Sequence, residues 1–280
     1  METHVFFAVL FGAACHAGWN AFLKIKLEPF SAMALIAVCS ALVVLPVVPF
    51  VGVPPMVAWP WVAASMAFHL GYFISLTEAY RTGDMGQVYP IARGSAPLMT
   101  AVVGTLFVGE KVGLLGWLGI LVLVSGVFLL SMRGGRDLHF DKRAVLFALC
   151  TAVTICGYSV VDGIGARTAG SAHAYTVWLF ILDGLMMLVF VLLRRGTAVA
   201  GEFASFWKSG LIGGALSLAA YWIAIWAMTV APIALVAALR ETSVLFAAVI
   251  AIVVLKEPLQ RPRIIAALMI VGGLALIRLQ

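Results

Sequence analysis

Residues 93–110 read RGSAPLMTAVVGTLFVGE, and residues 240–257 read RETSVLFAAVIAIVVLKE. Both segments begin with an arginine, continue through mostly apolar residues and end in a glutamate, so a shift of 147 residues superposes them. A shift of 139 residues also aligns Gly18-Trp19-Asn20 with Gly157-Tyr158-Ser159. Self-similarity at a fixed spacing is the signature of an internal repeat. The sequence therefore predicts that one structural unit occurs twice in the chain.

The composition is that of a membrane protein. Of the 280 residues, 64% are hydrophobic and 11% are charged, and the mean hydropathy is +1.11. A soluble domain has about 25% charged residues. Apolar runs that match the roughly 30 Å hydrocarbon core of a bilayer recur along the chain. We therefore expect an all-α membrane protein, with the lipid bilayer as a partner.

Charges, prolines and glycines divide the chain into ten predicted transmembrane helices, five in each half (residues 1–135 and 136–280). An odd number of helices per half places the second copy upside down relative to the first. Inverted repeats are a recurrent transporter architecture, with the substrate site between the repeats in a central cavity. The predicted segments are 4–23, 30–51, 57–80, 87–107, 112–132, 143–162, 173–193, 207–228, 233–255 and 262–279.

The basic residues predict how the chain crosses the membrane. Loops after the odd-numbered predicted helices hold thirteen Lys and Arg residues, whereas the opposite side holds only Lys111, Arg167 and Arg278. The positive-inside rule then places both termini in the periplasm. The thirteen residues are Lys24, Lys26, Arg81, Arg133, Arg136, Lys142, Arg143, Arg194, Arg195, Lys208, Lys256, Arg261 and Arg263.

The composition also bounds the partners. The net charge of +6 does not indicate a nucleic-acid partner, because the basic residues lie mostly in short loops between apolar runs. The four cysteines lie within apolar segments without metal-ligand spacing, so we expect neither a metal nor a cofactor. Since one chain already contains both halves, we expect a monomer.

The two predicted repeats share a motif at the end of their fourth helices. It reads Phe107-Val108-Gly109-Glu110-Lys111 in the first half and Val254-Leu255-Lys256-Glu257-Pro258 in the second, and a glycine- or alanine-rich helix follows each copy. This pattern resembles the drug/metabolite transporter superfamily, in particular its EamA-type exporters, and the density of Trp and Tyr is similar to that of aromatic amino-acid exporters. The resemblance implies efflux of amino acids or related small metabolites across a bacterial inner membrane.

The two motif glutamates have two interpretations. Glu110 and Glu257 are predicted at helix ends, where a carboxylate stabilises the N-terminus of a following helix. The second interpretation is a direct role in transport chemistry.

Charged groups inside the apolar segments are the strongest site candidates, because they are costly at the bilayer centre. Arg93 and Arg240 either extend to the interface and bind carbonyl oxygens, or face the cavity and bind a substrate carboxylate. Glu241 is predicted to be a proton site, a substrate-amine site or an ion-pair partner.

The remaining candidates are polar or aromatic residues in mid-helix. Ser65, His69, Tyr72 and Ser75 form one stripe, and Thr176, Phe180 and Asp183 form another, while Asp162, Ser217 and Tyr221 lie on the predicted sixth and eighth helices. We predict substrate contacts from Trp19, Asn20, His69, Tyr72, Tyr89, Arg93, Tyr158, Ser159, Trp222 and Arg240. Proton-coupling candidates are His16, Asp183 and Glu241, and Pro90 and Pro97 are predicted to kink a gating helix.

These features favour a secondary transporter that works by alternating access, since no nucleotide-binding loop is present. A membrane-embedded enzyme is the first competing hypothesis, but no metal-binding helix and no nucleophile with a neighbouring base occurs in the sequence. A channel or sensor is the second, and a transporter of drugs or different metabolites is the third.

Overall fold

The computed structural model describes residues 1–22, 27–83, 85–131, 141–253, 256 and 261–280. Every regular element in these ranges is helical, which confirms the all-α prediction for this part of the chain. Short 3₁₀ turns precede α3, α4 and α9. The helices are α1 (Thr3–Phe22), α2 (Pro29–Val44), α3 (Val48–Val51), α4 (Trp59–Thr82), α5 (Met85–Leu106), α6 (Leu114–Ser131), α7 (Lys142–Ala169), α8 (Ala172–Arg195), α9 (Val199–Val230), α10 (Ile233–Arg240), α11 (Ser243–Val253) and α12 (Arg261–Leu279).

Several of these helices are long and apolar enough to cross a membrane. Length and composition identify six such stretches among the described residues, and α6 adds a shorter apolar helix, Leu114–Leu130. The stretch Ala172–Val230 contains both α8 and α9. These stretches indicate a multi-pass membrane protein. The six are Phe30–Val51, Met56–Thr82, Lys142–Ala169, Ala172–Val230, Ile233–Ile250 and Arg261–Leu279.

Two helices extend beyond their predicted ends. The sequence predicts a loop at residues 194–206, but α9 already begins at Val199, because Val199 is buried in an apolar cluster that also contains Val191. Helix α7 continues past its predicted end at residue 162 and ends at Ala169, where the following Gly170 has a left-handed φ of 67°. Charged residues in these extensions have ion-pair partners, so they do not end the helix.

The predicted ninth helix is interrupted, which the sequence does not predict. Helices α10 and α11 are separated at Glu241 and Thr242, where backbone N–H groups bond to carbonyls three residues earlier instead of four. The hydroxyl of Thr242 also donates to the carbonyl of Leu239 at 2.7 Å. Such local bonds compete with the α-helical pattern. Helix α5, in contrast, continues through Pro90 and Pro97 without a break.

The packing of the helices is matched between the two predicted halves. The first helix of the first half, α1, packs against α9, α10 and α11 of the second half. The first helix of the second half, α7, packs against α4 and α5, which are the corresponding helices of the first half. The two second helices, α2 and α8, contact each other, as do the two last helices, α6 and α12.

The backbone repeats the same correspondence. Gly52 after α3 and Gly196 after α8 have φ values of 70° and 69°, and each ends the second predicted helix of its half. Gly109 has a φ of 74°, and Lys256, 147 residues later, has a φ of 53°. A left-handed conformation is unfavourable for a residue with a side chain. Lys256 therefore has the left-handed backbone conformation that Gly109 adopts without strain in the first half.

Glycines bring α6 and α12 into backbone contact. A Cβ atom added to Gly273 of α12 would lie 2.6 Å from the backbone nitrogen of Leu123 and 2.7 Å from the carbonyl oxygen of Gly119. A Cβ atom on Gly126 would lie 2.9 Å from the carbonyl oxygen of Ala266. Small residues at such seams allow helices in a membrane to approach closely. We call this contact the glycine seam.

The seam provides a matched pair of variants on one helix. We expect Gly273→Ala to destabilise the protein by about 1–3 kcal/mol, because the new methyl group meets backbone atoms that cannot rotate away. Gly272 has no atom within 4 Å of an added Cβ, so Gly272→Ala is expected to be neutral or to stabilise the helix by up to about 1 kcal/mol. Thermal unfolding of the two purified variants, compared by Tm, checks the difference. Equal Tm values for both would contradict the seam.

Candidate functional site

A cavity with a volume of about 110 Å³ lies between the two predicted halves. Its walls come from α1, α2, α4 and α5 of the first half and from α7, α8, α9 and α10 of the second. For scale, an engineered cavity of about 150 Å³ binds benzene. The lining residues are His16, Trp19, Met33, Ile36, Ala37, Ser40, His69, Tyr72, Phe73, Arg93, Tyr158, Phe180, Asp183, Ser217, Tyr221 and Arg240.

The two arginines of the cavity are in different electrostatic situations. Nε of Arg93 lies 3.0 Å from Oε2 of Glu241, and both side chains are less than a tenth exposed. Arg93 also donates to the hydroxyl of Ser243 at 3.4 Å. Arg240, by contrast, has no hydrogen bond or ion pair with any described residue, and its guanidinium lies 4.7 Å from the ring centre of Tyr221. Arg240 therefore keeps its donors available to a molecule in the cavity.

The aromatic residues next to Arg240 are held by a buried carboxylate. Asp162 is fully buried and accepts hydrogen bonds from the hydroxyl of Tyr175, at 2.9 Å, and from the hydroxyl of Tyr221. The ring of Tyr221 lies 5.9 Å from the ring of Tyr158 in an edge-to-face arrangement. Asp162 thus fixes one wall of the cavity from behind.

His69 completes this aromatic wall. Its ring stacks on Tyr158, with 4.4 Å between ring centres and an angle of 14° between the planes. Nδ1 of His69 lies 3.2 Å from the hydroxyl of Ser65 and 3.0 Å from the carbonyl oxygen of the same residue. The ring of Tyr72 contacts Tyr158 edge to face at 6.0 Å. Helices α4 and α7 therefore present one continuous aromatic surface.

Asp183 on α8 lines the cavity without a charged partner. Its Oδ1 atom is buried, and no described residue forms a hydrogen bond or an ion pair with it. The groups that act on it electrostatically are His69 and Asp162. A buried carboxylate without a donor is costly. Asp183 is therefore a hydrogen-bond acceptor in the cavity that has no donor among the described residues.

Two residues of α1 that are hydrogen-bonded to each other form another part of the cavity wall. The indole of Trp19 donates to Nδ1 of His16 at 3.2 Å, and both side chains line the cavity. The amide of Asn20 instead donates to the carbonyl of His16 at 2.8 Å, so Asn20 is not part of the lining. The predicted substrate contact from Asn20 therefore has no support in this arrangement.

Four other predicted site residues lie outside the lining of the cavity, namely Trp222, Ser159, Pro97 and Glu241. The indole of Trp222 donates at 2.8 Å to Nδ1 of His173. Ser159 and Pro97 line a small neighbouring pocket beside the two cavity arginines. Trp222 directly follows Tyr221, and consecutive residues of a helix point about 100° apart, which turns Trp222 out of the cavity.

Some of the predictions fall outside what the structure describes. The backbone of Tyr89 and Pro90 belongs to α5, but their side chains, like the whole of Glu257, are not part of the described structure. Four of the predicted basic loop residues also lie outside the described ranges, namely Lys24, Lys26, Arg133 and Arg136.

The sequence did not indicate the contribution of α2. Met33, Ile36, Ala37 and Ser40 line the cavity, although α2 has no polar stripe that would distinguish this face. The hydroxyl of Ser40 is bonded to the carbonyls of Ile36 and Gly214, at 2.8 and 3.0 Å. The only signal was this serine in an apolar run.

In the described part of the chain, no three His, Cys, Asp or Glu side chains are grouped to hold a metal.

Glu110 joins the two predicted halves at one end of the bundle. Its carboxylate accepts from the backbone N–H groups of Ile233, at 2.8 Å, and Ala234, at 3.3 Å, at the N-terminus of α10. Arg167 at the end of α7 donates to the same carboxylate at 2.8 Å and to two carbonyls at the end of α9. We call this group, Glu110 with Arg167, Ile233 and Ala234, the Glu110 clasp. The glutamate caps a helix of the other half rather than the helix that follows it in the sequence.

Comparisons with known proteins address the identity of the chain. The model of the EamA-like transporter family matches residues 4–132 and 142–279. An "Uncharacterized transporter in cobO 3'region" from Sinorhizobium sp is 38% identical over 69 residues, which is 25% of this chain and 45% of that protein. The "Multidrug resistance protein EbrB" of Bacillus subtilis (strain 168) is 32% identical over 74 residues, which is 26% of this chain and 62% of that protein. These alignments span about half of each relative.

A solved crystal structure shares the fold. It superposes with a TM-score of 0.77 at 18% sequence identity and covers 99% of this chain and 96% of its own. At this level of identity the likeness concerns the fold alone. The family model, however, covers nearly the whole sequence in two ranges that correspond to the two predicted halves. The chain therefore belongs to the EamA-like transporter family.

Proposed function

We propose that this protein is a secondary transporter that exports small metabolites, most favourably neutral or aromatic amino acids, across the bacterial inner membrane. The observation that carries this proposal is the cavity between the halves, which contains an arginine without an anionic partner among the described residues. A guanidinium binds a carboxylate through two parallel hydrogen bonds. Arg240 would bind the substrate carboxylate, and the aromatic wall would contact the rest of the molecule.

Alternating access is the proposed mechanism. We propose ten transmembrane helices in two inverted repeats, residues 1–135 and 136–280. The matched packing of α1 and α7, the paired left-handed positions and the two ranges matched by the family model support this architecture. Rocking of one repeat against the other would expose the cavity to one side of the membrane at a time.

The proposed orientation places both termini in the periplasm. The carbonyl of Met1 accepts a hydrogen bond from Arg278 at 2.7 Å, so the first helix begins where the last helix ends. The Glu110 clasp lies at the same end as these termini in the proposed topology, and the Lys- and Arg-rich loops lie at the other. The matched pair of halves within one chain supports a monomer as the working unit.

Within this proposal the candidate residues have separate roles. Trp19, His69, Tyr72, Tyr158 and Arg240 would contact the substrate, since all five line the cavity.

The coupling and gating candidates form a second group. Arg93 lines the cavity and would act mainly through its ion pair with Glu241. His16, Asp183 and Glu241 remain candidates for coupling substrate movement to protons. Pro90 and Pro97 remain candidates for gating, because each removes a backbone donor from α5.

Export of organic cations is a second candidate function. The unpartnered carboxylate of Asp183 and the aromatic rings around the cavity would suit a cationic drug. The name of the Bacillus subtilis relative points in the same direction. Arg240 argues against this candidate, because a second positive charge would enter the same cavity.

The role of Arg240 is tested by transport. We expect Arg240→Ala to raise the half-saturating concentration of a radiolabelled amino acid in proteoliposomes roughly ten- to hundredfold, because a hydrogen bond to a charged group is lost. Lys208→Ala is the matched control, since Lys208 is exposed and contacts Trp207 outside the cavity. Unchanged transport by folded Arg240→Ala would place the substrate carboxylate elsewhere. No uptake of any amino acid by the folded wild-type protein would direct the search to other metabolites.

The Glu110 clasp is tested by access to the cavity. In a variant without native cysteines, Ser217→Cys introduces a thiol into the lining, and a membrane-impermeant maleimide measures its accessibility from each side. We expect Glu110→Ala to speed labelling from the side of the termini about tenfold, because the closed arrangement loses a charge-assisted interaction worth at least about 1.5 kcal/mol.

Glu202→Ala is the control for the clasp. It also removes an ion pair with an arginine, here Arg195 at 3.1 Å, but this pair joins the last turn of α8 to the first turn of α9. Labelling from the side of the termini should stay at the wild-type rate in this variant. Equal acceleration by both substitutions would show a general loosening of the protein instead of the opening of a gate.

A further inference from the structure

Three buried carboxylates lie around the cavity, and they differ in how their charge is compensated. Asp162 accepts hydrogen bonds from two tyrosine hydroxyls. Glu241 lies against the guanidinium of Arg93 at 3.0 Å. Asp183 has a buried Oδ1 atom and no hydrogen bond or ion pair with any residue that the structure describes. Of the three, Asp183 is the carboxylate that still requires a positive partner or a donor.

The surroundings of Asp183 restrict what this partner is. The side chain lines the cavity, so a molecule in the cavity reaches it directly. The rings of Tyr72 and Phe180 belong to the same lining and can face a cation. Of the two ionisable groups that act on Asp183, Asp162 adds negative potential, and the ring of His69 stacks on Tyr158. One ring nitrogen of His69 is already engaged by Ser65.

The lining of the cavity therefore contains a guanidinium, that of Arg240, and a carboxylate, that of Asp183, which are both free to bind a ligand. They come from different helices, α10 and α8, and neither forms a hydrogen bond or an ion pair with a described residue. Two unpaired charges of opposite sign that do not neutralise each other fit a ligand that carries both charges.

We propose that Asp183 binds the ammonium group of a zwitterionic substrate while Arg240 binds its carboxylate. This assignment rests on the proposed function, and it makes Asp183 a specificity-determining residue rather than a proton carrier. It also requires that the substrate carries both groups: a carboxylic acid without an amine, or an amine without a carboxylate, satisfies only one of the two residues.

Leucine serves as the probe, because it is a neutral amino acid that carries both an ammonium group and a carboxylate. The experiment measures counterflow of radiolabelled leucine in proteoliposomes and its inhibition by two analogues. One, 4-methylpentanoate, lacks the ammonium group, and the other, 3-methylbutylamine, lacks the carboxylate. For the wild-type protein we expect leucine to compete roughly ten- to hundredfold better than either analogue.

Asp183→Asn and Arg240→Ala should each lose the discrimination against a different analogue. In Asp183→Asn, leucine should compete no better than 4-methylpentanoate, and the affinity of 4-methylpentanoate should not fall. In Arg240→Ala, leucine should fall to the level of 3-methylbutylamine. Asp183→Glu keeps the carboxylate and should retain part of the selectivity. Lys208→Ala removes a charge outside the lining and should behave as wild type.

The ways in which this assignment can fail are distinguishable. If the wild-type protein moves leucine and Asp183→Asn keeps full discrimination against 4-methylpentanoate, the ammonium site is wrong while the transporter stands. If Asp183→Asn loses only proton-driven uptake and keeps normal counterflow, Asp183 is a proton carrier and the proposal is overturned. If 3-methylbutylamine competes as well as leucine in the wild-type protein, the cavity selects cations. If the folded wild-type protein moves no amino acid, the proposed function and this assignment both fail.

Discussion

A polar group in hydrocarbon must find its partner within the protein, and this constraint shapes the molecule at every level. It makes every regular element in the described ranges a helix, because a helix satisfies its own backbone. It places Arg93 against Glu241, and it surrounds Asp162 with two tyrosine hydroxyls. Against this background Arg240 and Asp183, which form no hydrogen bond or ion pair with a described residue, mark positions where a substrate would complete the structure.

The helical architecture and many of the cavity residues were predictable from the sequence, because both depend on simple rules. Long apolar runs become helices in a membrane, and charges within those runs lie where they can be compensated. The ends of α7 and α9 were harder to predict, since tertiary partners such as those of Val199 extend a helix into a polar stretch. The break between α10 and α11 depends on local bonds of Thr242, which no periodicity reveals.

The differences between the predicted site residues and the cavity lining have equally specific causes. Trp222 and Tyr221 are neighbours in an apolar helix, and nothing in the order of residues decides which of them faces the cavity. The wall formed by α2 was missed because an apolar helix has no polar face to mark its orientation.

The Glu110 clasp shows a different limit. Capping was the correct chemistry for this carboxylate, but the helix that it caps lies in the other half of the chain, which only the three-dimensional arrangement reveals.

The glycine seam bears on how such a protein can arise. Its contact joins α6 and α12, the last helices of the two proposed halves, and backbone atoms on both sides form it. A contact of this kind needs no covalent link between the partners, since small residues alone bring helices together in a membrane. A single five-helix ancestor with glycines on its last helix would already carry both faces of the seam. It could associate with an inverted copy of itself, and gene duplication followed by fusion would make that pairing permanent.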